Sequence, residues 1–173
     1  MSCAELIDKL SNLLKTTEFT DIYFVGYIDG EETPTVFHPA LEILYLEFED
    51  CFLRLQSVEQ YSRVHLTLTA EIDFDFPFDI EEEDVPTSAS MGDSLLDGTT
   101  MTTHKVTKVR LFGLADRDDL IDCEALELTL STGQILFVDP TYEFGFKLGS
   151  AAQEQVWSEN LPHEKPAIAE LEL

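Results

Sequence analysis

The carboxylates of this chain fall largely in one stretch that contains no cationic side chain. Between Arg63 and Lys105 there is no Lys or Arg, yet Glu71, Asp73, Asp75, Asp79, Glu81, Glu82, Glu83, Asp84, Asp93 and Asp97 all lie there. The first part, Glu71-Ile72-Asp73-Phe74-Asp75-Phe76-Pro77-Phe78-Asp79-Ile80, alternates a carboxylate with a large apolar residue. Glu81, Glu82, Glu83 and Asp84 then continue the charge without interruption. Two chemistries suit such a pattern: oxygen ligation of a divalent cation, or recognition of a cationic surface. The first fails on spacing, because a calcium loop needs Gly at its sixth position and ligands on either side, where this segment has Phe and Pro. No metal is therefore expected. The second fits better, since crowding like charges is costly unless a cationic partner relieves it. The candidate partner-binding residues are Asp73, Asp75, Asp79, Glu81, Glu82, Glu83 and Asp84, with Phe76 and Phe78 as apolar anchors inside an acidic rim. The competing reading is a half-buried strand whose charges deter edge-to-edge pairing.

Other chemistries find little support. His38, His65, His104 and His163 stand at no zinc-ligand spacing from one another or from Cys3, Cys51 and Cys123. Cys51 follows Asp50 and Cys123 follows Asp122, neighbours that raise a thiol pKa and so disfavour a nucleophile. There is no Gly-rich phosphate loop and no GxSxG elbow. With 35 Asp and Glu in the chain, any close pair of carboxylates is expected by chance and carries no glycosidase argument. The reading is a non-enzyme without a cofactor. An enzyme or ligand-binding protein with a pocket around His65, Tyr45 and Arg54 is the alternative.

A formal net charge of -25 in 173 residues repels nucleic acid and anionic membrane and attracts basic proteins. No apolar run approaches the roughly 18 residues of a membrane span, and the first residues lack the basic and apolar regions of a secretory signal. Three widely spaced cysteines argue for a reducing compartment without a disulfide framework. A cytoplasmic location is expected. Acidity that serves solubility alone, in a scaffold or structural subunit, is a further alternative, although the clustering of charge speaks against it.

The elements that must position these residues follow from periodicity. Leu6, Ile7, Leu10, Leu13 and Leu14 recur at helical spacing, and Ser2 with Glu5 forms a capping box ahead of them. The period then changes to two, predicting strands over residues 21–27, 36–38, 41–48, 52–58 and 63–76. Residues 81–103 break the pattern with charge, Pro86, two glycines and a Thr-rich run, and are expected to be an insertion that can be shortened at little cost. Alternation resumes over 106–112, 125–130 and 134–138, with Ser131-Thr132-Gly133 as a hairpin turn and Asp139-Pro140 ending the last strand. Residues 139–149 read as a structural corner stapled by Phe144 and Phe146. Ser150 with Gln153 is a second capping box, opening a short helix that carries Val156 and Trp157. The expected fold is mainly β (α+β), an antiparallel sheet curled or doubled on itself with an N-terminal and a short C-terminal helix. Residues 1–161 would form a single domain, and residues 162–173 a fraying tail.

The run Leu-Thr-Leu-Ser-Thr-Gly-Gln-Ile-Leu-Phe-Val-Asp-Pro from Leu128, followed by Phe144-Gly145-Phe146, resembles the late hairpin and corner of small bacterial immunity proteins that neutralise polymorphic toxins. The resemblance covers about an eighth of the chain and transfers no functional residue. It implies a cytosolic inhibitor bound to a toxin, often a basic nuclease. Together with the charge it leads to the expectation of a stoichiometric acidic inhibitor that blocks a basic partner protein.

Overall fold

A computed structural model of the protein describes residues 1–98 and 102–173. Helix α1 (Cys3–Thr16) begins with the expected box: Ser2 accepts from the Glu5 amide, and the Glu5 side chain reaches back to the Ser2 amide. Four strands follow as an antiparallel meander, β1 (Asp21–Ile28), β2 (Phe37–Glu47), β3 (Phe52–Val58) and β4 (Arg63–Thr69). Next come β5 (Val85–Ser90), the single-turn α2 (Gly92–Leu95), β6 (Val106–Phe112), β7 (Ile121–Cys123), β8 (Ala125–Leu130), β9 (Ile135–Tyr142), β10 (Gly145–Gly149), α3 (Ala151–Glu159) and β11 (Ile168–Glu172).

Two open antiparallel sheets result, a six-stranded one ordered β5-β1-β2-β3-β4-β7 and a five-stranded one ordered β10-β9-β8-β6-β11. Period-two alternation turns Phe24, Leu44, Leu53, Leu55, Val64 and Leu66 of the first toward Val109, Leu111, Leu126, Leu128, Leu136 and Val138 of the second in one continuous core. Leu10 and Leu14 of α1 enter the same core. Lys105 donates to the carbonyls of Leu14 and Lys15 at 2.7 and 2.6 Å, a cation placed at the negative end of the helix. On the outer face of the second sheet α3 lays Trp157 across Phe112 and Phe137, at 5.2 and 5.6 Å between ring centroids. That cover explains why β8 is buried on both faces.

Several expectations need correction. The strand expected over 63–76 ends at Thr69, because Phe52 opposite it is the first residue of β3 and nothing remains to pair beyond. Leu68 is already 41% exposed there, so the inner series has left the core. Residues 81–103 are not a structureless insertion: β5 adds to the free edge of β1, and Leu96 after α2 is buried. Asp21 anchors this return, accepting from Ser90 Oγ at 2.6 Å and from the Gly92 amide at 3.0 Å. Thr99, Thr100 and Met101, part of the expected Thr-rich loop, lie outside the described residues.

The expected fraying tail carries β11, which pairs with β6 and packs Ala169 and Leu171 on the core. Pro140 does not end β9. It lies beyond the part of β9 paired with β8, next to an irregularity in the β9–β10 ladder, where the missing amide breaks no bond to β8. The supposed corner is largely strand β10, with Phe146 buried but Phe144 63% exposed. Ser150 does cap α3 through the Ala152 amide, but Gln153 donates to Asp139 at 2.7 Å and does not complete a box.

Candidate functional site

The outer face of the six-stranded sheet presents Val25, Ala40, Ile43 and Tyr45, all fully buried although no second sheet covers them. Their cover is the acidic segment itself. On leaving β4 the chain turns back across this face, and Ile72 and Phe76 pack on the four residues. Tyr45 anchors the crossing by accepting from the Asp73 amide at 3.3 Å and donating to the Asp73 carbonyl at 3.4 Å. Burial pushes the Tyr45 phenol pKa up, so the hydroxyl stays protonated and able to do both. Arg54 stands 3.8 Å from the Asp73 carboxylate, and Asp73 also accepts from the Asp75 amide at 3.3 Å.

The phenylalanines of the segment divide between two tasks. Phe76 turns inward, while Phe74 and Phe78 remain 41% and 40% exposed. Phe76 and Phe78 stack in parallel at 5.3 Å, Phe74 lies 6.4 Å from Phe76, and Phe78 meets the edge of Tyr27 at 6.3 Å. Tyr27 stacks in turn on His38 at 5.1 Å. The result is a continuous row of aromatic rings from Phe74 to His38. Around it Asp75, Asp79, Glu81, Glu82 and Glu83 are exposed and Asp73 and Asp84 half-buried. Asp84 closes a tight turn by accepting from the Glu81 amide at 2.9 Å and donating its own amide to the Glu81 carbonyl. That turn lies against the β1–β2 connection at Gly30, where a Cβ would sit 2.5 Å from the Glu83 carbonyl oxygen. Among the described residues, Arg54 is the one side-chain cation within ion-pairing distance of the carboxylates of residues 71–84.

All the sequence-predicted residues thus belong to one segment on one sheet face, though Asp73 and Phe76 serve partly to hold it down. Phe74, Tyr27 and His38 join the aromatic row without having been expected there. The outward position of Tyr27 follows from its period-two alternation with Tyr23 and Val25 along β1, whose register against β5 is unbroken. His65, Tyr45 and Arg54 share this outer face, but Tyr45 is sealed beneath Asp73. Burial holds the thiols of Cys51 and Cys123 above their ordinary pKa, Cys123 far above it, which fits neither to nucleophilic work. Among the described residues, two clusters have ligand atoms close enough for a metal: Asp29 and Glu32 of the β1–β2 connection with His38 of β2, and Glu59, His65 and Asp122 at the far edge of the sheet.

Fold and face together define a class, an open two-sheet antiparallel sandwich that carries an acidic, aromatic-bearing segment across one outer face. No known protein family, functionally described protein or solved structure matches the chain.

Proposed function

We propose that this protein is a non-catalytic binder of a basic protein, acting as a stoichiometric inhibitor of the immunity type, with a cationic nuclease toxin as the kind of partner its surface suits. The observation that carries the reading is the aromatic row from Phe74 to His38, part exposed and rimmed by carboxylates that have almost no cations of their own. Aromatic rings attract guanidinium and ammonium groups through their faces, and the carboxylates speed the approach of a basic surface. Asp75, Asp79, Glu81, Glu82 and Glu83 would enter a cleft that otherwise holds phosphate, while Phe74 and Phe78 lose their remaining exposure at the centre. The test is capture from host lysate with wild type and with a variant carrying Asp75→Asn, Glu81→Gln, Glu82→Gln and Glu83→Gln. A basic protein retained by wild type, lost by the variant, and bound one to one when purified supports the reading. Equal affinity for both proteins by calorimetry removes it.

A further inference from the structure

At the edge of the six-stranded sheet away from the aromatic row, β7 pairs with β4 and sets His65 directly opposite Asp122. Asp122 is fully buried. One of its carboxylate oxygens accepts from Arg63 Nε, but the other, Oδ2, has no hydrogen-bond partner. His65 Nε2 is buried, equally without a partner, and faces that oxygen across 3.8 Å. The gap is too long for a hydrogen bond. It is close to the ~3.3–3.5 Å that separates two ligand atoms at a tetrahedral angle around a zinc ion with bonds of ~2.0–2.2 Å. Glu59, in the turn between β3 and β4, brings a carboxylate oxygen to within 4.8 Å of both.

The group also contains its own cation. Arg117, in the connection between β6 and β7 and 48% exposed, places Nε 3.1 Å from Asp122 Oδ2 and donates through Nη2 to Glu59 at 3.1 Å. The Asp122 contact is ionic without a hydrogen bond, so Oδ2 keeps a lone pair directed elsewhere. Arg117 therefore offsets part of the charge of the two carboxylates without taking a hydrogen bond from Asp122 Oδ2.

We propose that Glu59, His65 and Asp122 form a binding site for a divalent transition metal of the zinc class, with a fourth position for water and with Arg117 as a resident cation that the metal displaces. Imidazole nitrogen beside two carboxylates favours zinc, nickel or copper over calcium or magnesium, which need more oxygen ligands. A displaced Arg117 would leave Arg63 to hold Oδ1, so the buried carboxylate keeps its orientation.

The test is calorimetric titration of the full chain with zinc chloride in excess magnesium, which occupies the dispersed surface carboxylates. Wild type is expected to bind one zinc. His65→Ala and Glu59→Gln should each weaken that binding about tenfold or more. Arg117→Ala should tighten it, and His38→Ala, which disables the other cluster, should leave it unchanged. Circular dichroism establishes that each variant is folded; should His65→Ala fail, the exposed Glu59→Gln decides. Equal zinc affinity in wild type and in the folded ligand variants, or loss of binding only in His38→Ala, overturns the proposal.

Discussion

The rings of Phe76 and Phe78 lie parallel, 5.3 Å apart with 7° between their planes, while Phe76 rests on the sheet and Phe78 faces solvent. Pro77 between them restricts the backbone, so the exposed ring is held by a buried one and little freedom is lost when a partner covers it. Phe78→Ala should accordingly leave the thermal midpoint nearly unchanged yet weaken partner binding by about 2 kcal/mol or more, chiefly through faster dissociation. Phe76→Ala should cost about 1–3 kcal/mol of folding stability, because it also uncovers Val25, Ile43 and Tyr45. Denaturant unfolding and surface-binding kinetics separate the two. Equal effects of both substitutions on stability would mean that Phe78 is a packing residue like its neighbour.

Carboxylates around the row bear on association instead. Screening shortens from a Debye length of ~10 Å at 0.1 M salt to ~3 Å at 1 M, so the on-rate for a basic partner should fall steeply across that range while the off-rate moves little. Neutralising Asp75, Glu81, Glu82 and Glu83 should reduce the salt dependence and leave the fold unchanged or slightly more stable, since self-repulsion falls. Stopped-flow mixing over a salt series reads both effects. An on-rate indifferent to salt would assign the charge to solubility.

How far these features were legible in the sequence depended on which part of the chain makes each contact. Residues 52–58, 106–112 and 125–130 were readable to the residue because their apolar residues recur with a period of two between turn signals, even where, as in 125–130, both faces are buried. Ser2 and Glu5 were readable because a capping box is local. By contrast, β5 consists of Val-Pro-Thr-Ser-Ala-Ser and joins the sheet by main-chain bonds to β1, which leave no apolar alternation to read. The acidic segment misled as to geometry, since carboxylate and Phe alternate as in a strand although the partner strand has run out. Nothing local could have joined His65 to Asp122, because the register of β4 against β7 brings them together.

Residues 85–98 are expected to be structural. Replacing them with a short Gly-Ser linker should remove the edge strand, the bonds to Asp21 and buried Leu96 together, and cooperative unfolding should be lost or the thermal midpoint should drop sharply. Leu96→Ala alone should cost about 2–3 kcal/mol, a value reduced by its position at the margin of the core. A linker variant that melts like wild type would return this stretch to the status of a loop.

The three free cysteines should be distinguishable by reactivity. Cys123 is fully buried and burial drives its thiol pKa far up, while Cys51 is half-buried and raised by burial and by Asp50. In the native protein at neutral pH, alkylation should label Cys51 slowly and leave Cys123 unlabelled, whereas denaturant should expose all three. Mass mapping of the labelled peptides gives the order. Rapid native labelling of Cys123 would contradict the seating of β7 on β4.

Acid should weaken the seat of α3 through Glu154. Desolvation raises its carboxyl pKa, but hydrogen bonds and ion pairs with Lys165 and Arg110 outweigh that and hold it below the usual carboxylate range. A folded-state pKa below the unfolded value stabilises the protein above the unfolded pKa, and that contribution disappears as pH falls through the folded one. Glu127, which shares Arg110, shifts the other way: burial raises its pKa, so its effect favours the folded state at low pH and fades as pH rises. Glu154→Gln should therefore be less stable than wild type at pH 7, with the difference shrinking as pH falls toward and through the depressed folded-state pKa of Glu154. Urea unfolding at pH 7, 5 and 3 measures the difference directly. A destabilisation equal at all three values would show that Glu154 acts by packing alone, and that the Arg110–Lys165 charges do not hold α3 on the sheet.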